Sequence, residues 1–139
     1  MNGKTILIVD DDPVVVSAVS MKLKREGFQT LTATDGSAAV SAVRKSRPDL
    51  ILLDITFPPD VAHGGGVAWD GFLIMSWLQR LDEAKGIPFI VISGADPAKY
   101  EKRALAAGAT RFFHKPMNSD ELLAVIHQAL EQREPAAAV

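Results

Sequence analysis

Five short apolar runs, separated by segments of helical spacing, leave this chain few folds to choose from. They are TILIV (5–9), FQTLTA (28–33), LILL (50–53), FIVI (89–92) and TRFFH (110–114). TILIV, LILL and FIVI show no polar alternation, as expected of strands buried on both faces of a parallel sheet. LILL is poor in β-branched residues, but its length and the flanking Pro48 and Asp54 favour a strand. FQTLTA and TRFFH are more mixed and suit sheet edges. After Pro13, Val15, Ala18, Val19 and Leu23 recur at helical spacing, and Gly27 is placed to end that helix. Asp35 precedes Ala39, Ala42 and Val43 in a segment closed by Pro48, and Asp70 precedes Phe72, Met75 and Leu78. Asp96-Pro97 opens a helix that Gly108 closes, and Asn118 with Glu121 makes a capping-box-like start before Leu122, Val125, Ile126 and Ala129. The order is β-α five times, so right-handed crossovers give a parallel sheet with helices on both faces.

Composition narrows the class further. At 139 residues the chain fits one domain, taken as 1–132 with a frayed tail at 133–139. It is 47% hydrophobic and 23% charged with a net charge of -2, so its bulk surface offers no attraction for nucleic acid. There is no cysteine, which excludes disulfides and thiolate metal sites. The start, MNGKTILIVDDD, is too short in apolar residues for a secretory signal, and no run approaches the ~18 residues of a membrane span. A cytoplasmic protein without membrane insertion is expected.

In doubly wound sheets, ligands collect at the carboxyl ends of strands, near the point where strand order reverses. The polar residues fall there. The first strand runs into Asp10, Asp11 and Asp12, the third into Asp54, the fourth into Ser93 and the fifth into His114-Lys115-Pro116. Carboxylates gathered in one crevice repel unless a cation sits among them, and a hard divalent ion with oxygen ligands, Mg2+ first, fits. A lysine and a hydroxyl beside it suit phosphoryl oxygens, and one carboxylate would then be the nucleophile that becomes an acyl phosphate. Any one of these aspartates is equally well a turn former or helix cap. The set as a whole, at the ends of separate strands, carries the chemical reading.

ILIVDDDP, PDLILLD, the proline four residues after Asp54, VIS at the fourth strand and HKP at the fifth together resemble the receiver domain of bacterial two-component response regulators. The resemblance spans about Lys4 to Glu131. It implies a (βα)5 flavodoxin-like fold with strand order 2-1-3-4-5 and a phosphorylation-dependent switch in a phosphorelay. It implies Asp54 as phosphoacceptor, with Mg2+ or Mn2+ held by Asp11, Asp54 and the backbone carbonyl of Thr56, and by Asp10 through water. Lys115 would pair with Asp54 and then with a phosphoryl oxygen, and Pro116 would follow a cis bond. Asp12 is read as the cap of the first helix. The switch maps onto Ser93, whose hydroxyl would bond the phosphoryl group, and onto Phe112, which keeps an aromatic ring but lacks a phenolic hydroxyl. Phe112 is also readable as plain core.

The resemblance further implies a sensor histidine kinase or histidine phosphotransfer protein as phosphodonor, a downstream protein target and no direct nucleic acid contact. A monomer or weak phosphorylation-dependent dimer is expected, accepting and losing its own phosphoryl group rather than turning over a substrate. A stand-alone regulator, a phosphate shuttle and a receiver cut from a longer polypeptide all stay open.

The loop FPPDVAHGGGVAWDG departs from the pattern. In the family an acidic or amide residue followed by glycine comes seven residues after the phosphoacceptor. Here that pair is Asp70-Gly71, and 70 minus 54 is 16, which leaves nine extra residues within about 60–69. Three readings stand: a tolerated surface extension, a lid or partner-recognition element hinged at Gly64, Gly65 and Gly66 with Val67 and Trp69 as anchors, or direct action of His63 on phosphate or metal. Leu73 and Trp77 lie off the Phe72, Met75 and Leu78 stripe, so a second apolar stripe faces outward, for the loop or a partner to cover.

A different class, the aspartate-nucleophile phosphatases, shares the spacing of Asp10, Asp12 and Val14, with Asp10 as nucleophile and Asp12 as acid/base. It leaves Asp54 without a role. A flavin-binding electron carrier shares the topology, but the first loop has carboxylates where a phosphate cradle needs Ser, Thr and Gly.

Overall fold

The computed structural model describes residues 4–54, 71–93, 97–114 and 119–138. Five strands form one parallel sheet: β1 (Thr5–Val9), β2 (Gln29–Ala33), β3 (Leu50–Asp54), β4 (Phe89–Ser93) and β5 (Arg111–His114), in the order β2-β1-β3-β4-β5. The helices are α1 (Pro13–Arg25), α2 (Gly36–Ser46), α3 (Gly71–Gln79), α4 (Pro97–Ala106) and α5 (Ser119–Ala138), with a short 3-10 turn at Asp82–Ala84 that periodicity does not reveal. The expected doubly wound architecture is therefore observed. Helical backbone in α5 continues to Ala138, into the 133–139 stretch that the sequence assigns to a tail.

Strand alternation sorts the core into two layers. Leu7, Val9, Ile51, Leu53, Phe89 and Val91 face α2, α3 and α4, where Ala39, Val43, Met75, Leu78 and Ala104 meet them. Ile6, Ile8, Leu50, Leu52, Ile90 and Ile92 face α1 and α5 and pack on Val16, Leu23, Leu122 and Ile126. The central strands β3 and β4 are buried throughout, and the edge strands β2 and β5 are mixed. Two-sided burial is why LILLD and FIVIS lack alternation.

The helix ends follow local chemistry. The Asp35 carboxylate accepts from the Ala38 amide at 2.7 Å and caps α2. At the other end of α1, Gly27 has a φ of 94°, its amide donates to the Lys24 carbonyl, and the Phe28 amide donates to the Leu23 carbonyl. That pair of bonds is a Schellman motif, and Phe28 and Leu23 are buried in one cluster as its hydrophobic contact. Phe28 thus closes the helix instead of opening β2, which begins at Gln29. Gly108 (φ 113°) and Ala109 end α4 with the same two bonds, to Leu105 and Ala104.

One stripe differs from the periodic reading. In α1 the buried residues are Val16, Ser20 and Leu23, while Val15 and Val19 are half-buried and Ala18 is exposed. The Ser20 hydroxyl lies 2.7 Å from the Thr30 hydroxyl on β2, so a polar residue sits inside the seam with its partner. On α3, Phe72, Met75 and Leu78 are buried as expected, joined by Ile74. Leu73 and Trp77 do face outward, at 45% and 42% exposure. The Trp77 ring is partly covered by α2: a Cβ at Gly36 would lie 2.6 Å from its Cζ3.

Candidate functional site

The β1–β3 ladder ends at the pair Val9 and Leu53, so Asp10 and Asp54 occupy the next positions on adjacent strands, about 4.8 Å apart at the backbone. Alternation continues Ile6 and Ile8 into Asp10, and Leu50 and Leu52 into Asp54, so both carboxylates belong to the α1/α5 face. Both are buried, at 3% and 4% exposure. They border a cavity of about 390 Å³ whose walls include Val15 and Val19 of α1 and Leu122 and Leu123 of α5. Two carboxylates kept there at the expense of hydration need a reason beyond packing.

Asp10 is held by backbone. Its amide donates to the Ala33 carbonyl at 3.1 Å, and its Oδ1 accepts from the Asp12 amide at 2.9 Å. Asp11 and Asp12 are exposed. Asp12 caps α1 as expected, its Oδ1 accepting from the Val14 amide at 2.9 Å. Ser93 is fully buried at the end of β4, opposite His114. It continues the alternation of Phe89 and Val91, and half-buried Phe112 pairs with Val91 and packs on the same cluster. The two residues read as switch elements thus follow the α2–α4 face of the sheet, and Ser93 lies one residue beyond Ile92, the β4 partner of Asp54. Thr56, His63, Gly64, Gly65, Gly66, Trp69, Lys115 and Pro116 lie outside the described residues.

Among the described residues, no three Asp, Glu or His side chains group closely enough to hold a metal ion. The expected ligand set uses only two carboxylates directly, Asp11 and Asp54, and takes its third protein ligand from the Thr56 carbonyl. The donors present are oxygens only, with two buried carboxylates side by side, and that chemistry fits a hard divalent cation.

Two contacts elsewhere in the fold carry no sequence signal. The Arg103 guanidinium on α4 stacks 4.0 Å from the centroid of the Phe72 ring on α3. The Gln79 amide on α3 lies where a Cβ on Gly108 would be. Each joins residues from different helices, so no spacing within one segment announces it.

The fold and the strand-end carboxylates define a doubly wound domain with an acidic crevice at the carboxyl ends of its central strands, and comparison with known proteins places it in a family. Residues 6–127 match the family model of the response regulator receiver domain. The probable transcriptional regulatory protein TcrX of Mycobacterium tuberculosis is 32% identical over 86% of this chain and 46% of its own. The receiver domain protein (CheY-like) from Methanospirillum hungatei JF-1 superposes with a TM-score of 0.79 at 25% identity, over 96% of this chain and 98% of that one. NtrX from Brucella abortus gives a TM-score of 0.83 at 29% identity, over 98% of this chain and 29% of that one.

The chain belongs to the response regulator receiver domain family, the phosphoacceptor module of two-component signalling. It spans from about a quarter to about half the length of the curated relatives it matches. The phosphatase reading is not favoured: Asp12 is engaged as a helix cap, whereas Asp54 is buried beside Asp10. Among the described residues, no helix is long and apolar enough to cross a membrane.

Proposed function

We propose that Asp54 is the phosphoacceptor of this receiver and that Asp10 and Asp11 serve the cation that accompanies it. The observation that carries this is the burial of Asp54 beside Asp10 at the carboxyl ends of β3 and β1. An Asp54 carboxylate oxygen attacks the phosphorus of a phosphohistidine, the P–N bond breaks, and the imidazole leaves and takes up a proton. The product is an aspartyl phosphate. Mg2+, or Mn2+, neutralises charge on the phosphoryl oxygens when bound. Asp11, Asp54 and the Thr56 carbonyl would hold it, with Asp10 acting through water. Lys115 supplies an ammonium to a phosphoryl oxygen, and the Ser93 hydroxyl donates to another. Movement of Ser93 is passed to Phe112 by packing on their shared face, because phenylalanine has no hydroxyl to bond.

The phosphodonor is a sensor histidine kinase or a histidine phosphotransfer protein in the cytoplasm, and the phosphorylated domain acts on a protein target without touching nucleic acid itself. It is a switch that gains and loses its own phosphoryl group, as a monomer or a weak phosphorylation-dependent dimer, and not an enzyme of turnover. The receiver unit comprises residues 1–132, with nine extra residues at about 60–69. Incubation with Mg2+ and acetyl phosphate, read by intact mass, tests the central step. One acid-labile phosphoryl group is gained, and Asp54→Asn abolishes it. Labelling that survives Asp54→Asn and vanishes with Asp10→Asn returns the phosphatase reading.

A further inference from the structure

We infer that Asp12 is a positioning residue for the cation-binding carboxylates, in addition to capping α1. The inference rests on the reading of Asp10, Asp11 and Asp54 as a cation site. Asp12 is tied at three atoms. Its carboxylate accepts from the Val14 amide at 2.9 Å, its carbonyl accepts from the Val16 amide at 3.1 Å, and its own amide donates to Asp10 Oδ1 at 2.9 Å. Pro13 has no amide proton to offer, so Val14 carries the first helical N–H that the cap can reach. The turn from Asp10 to Asp12 is thereby pinned at both ends. At one end Asp10 bonds to Ala33 of β2, and at the other the first turn of α1 closes on Asp12.

Asp11 lies between the pins, and the cap fixes where the Asp12 amide points. That amide orients the buried Asp10 carboxylate. The Asp12 carboxylate itself is exposed and engaged with the helix, so it reaches the crevice through backbone geometry and not by coordination. If the cap is lost, the Asp12 amide and the first turn of α1 are free to shift. Asp10 and Asp11 then lose their mutual placement.

The test is a Mg2+ titration of the full chain by isothermal calorimetry, on wild type, Asp12→Ala, Asp12→Asn and Asp35→Ala. Asp35 caps α2 through Ala38 at 2.7 Å, so its alanine variant loses a comparable cap on a helix that does not contribute to the crevice. Asp12→Ala weakens Mg2+ binding by about fivefold, the equivalent of a cap worth about 1 kcal/mol at 1.4 kcal/mol per factor of ten. Asparagine caps about as well as aspartate, so Asp12→Asn stays within about twofold of wild type. Asp35→Ala lowers the unfolding midpoint and leaves the Mg2+ affinity unchanged. Hydrogen exchange of the residue-12 amide supplies a readout without metal: protection falls in Asp12→Ala and is kept in Asp12→Asn.

Equal weakening by alanine and asparagine would overturn the inference in favour of a simple charge effect. Alanine binding as tightly as wild type would overturn it outright. A wild-type chain that does not bind Mg2+ would instead sink the cation site, and the inference with it.

Discussion

Replacing Ile126 with alanine probes the packing that sets α5 on the carboxylate face of the sheet. Ile126 is fully buried in the cluster formed by Ile6, Ile8, Leu50, Leu52 and Ile90. The substitution deletes three carbons, a transfer loss of about 2.4 kcal/mol at about 0.8 kcal/mol each. The void left, on the order of 80 Å³, adds about 2 kcal/mol at about 24 cal/mol per Å³. Relaxation recovers little, because the central strands carrying Ile6, Ile8, Leu50, Leu52 and Ile90 wall one side of the site. The expected cost is therefore about 4 kcal/mol, in the upper half of the range for such truncations. Urea unfolding followed by circular dichroism measures it. With a slope of about 2 kcal/mol/M, the midpoint falls by about 2 M and the slope is unchanged. Leu105→Ala, at a residue 43% exposed on α4, stays within about 0.5 kcal/mol. A loss under about 1 kcal/mol at Ile126 would refute the two-layer packing that places Asp10 and Asp54 between α1 and α5.

Two further outcomes are expected. Gly108→Ala meets both a positive φ and the Gln79 side chain, so it destabilises by more than about 1 kcal/mol; adding Gln79→Ala recovers only part of the loss in thermal unfolding, since the backbone strain persists. Full recovery would locate the whole cost in the side-chain overlap. Deleting Val61 to Val67 leaves labelling by acetyl phosphate near wild type and lowers the rate of transfer from the cognate kinase, and unchanged transfer would contradict a recognition role.

Much of this site is legible from strand chemistry. The unbroken apolar character of LILL and FIVI reports two-sided burial, and it is because β3 is central that Asp54 is buried where the strand ends. That Asp10 and Asp54 share a face is not legible from these unbroken runs; it follows from the β1–β3 register, in which Ile8 pairs with Leu52 and Val9 with Leu53. The cap at Asp12 is readable, a short acidic side chain meeting the first free amide, and Asp35 caps α2 in the same way. The α1 seam is less legible, because Ser20 is buried only by virtue of Thr30, ten residues away on a strand. Phe72 with Arg103 and Gln79 with Gly108 are pairings between helices, set by how α3 and α4 lie on the sheet. Trp77 shows the same limit: its spacing marks it as outward, yet the missing Cβ of Gly36 lets its ring lie against α2.

The most direct measurement is the location of the phosphoryl group. The chain is labelled with acetyl phosphate and Mg2+, the acyl phosphate is reduced with borohydride, which converts the modified aspartate to homoserine, and the peptides are mapped by mass spectrometry. The account predicts homoserine at position 54 alone, and none when Mg2+ is withheld. Homoserine at position 10, or labelling undiminished without a divalent cation, would contradict it.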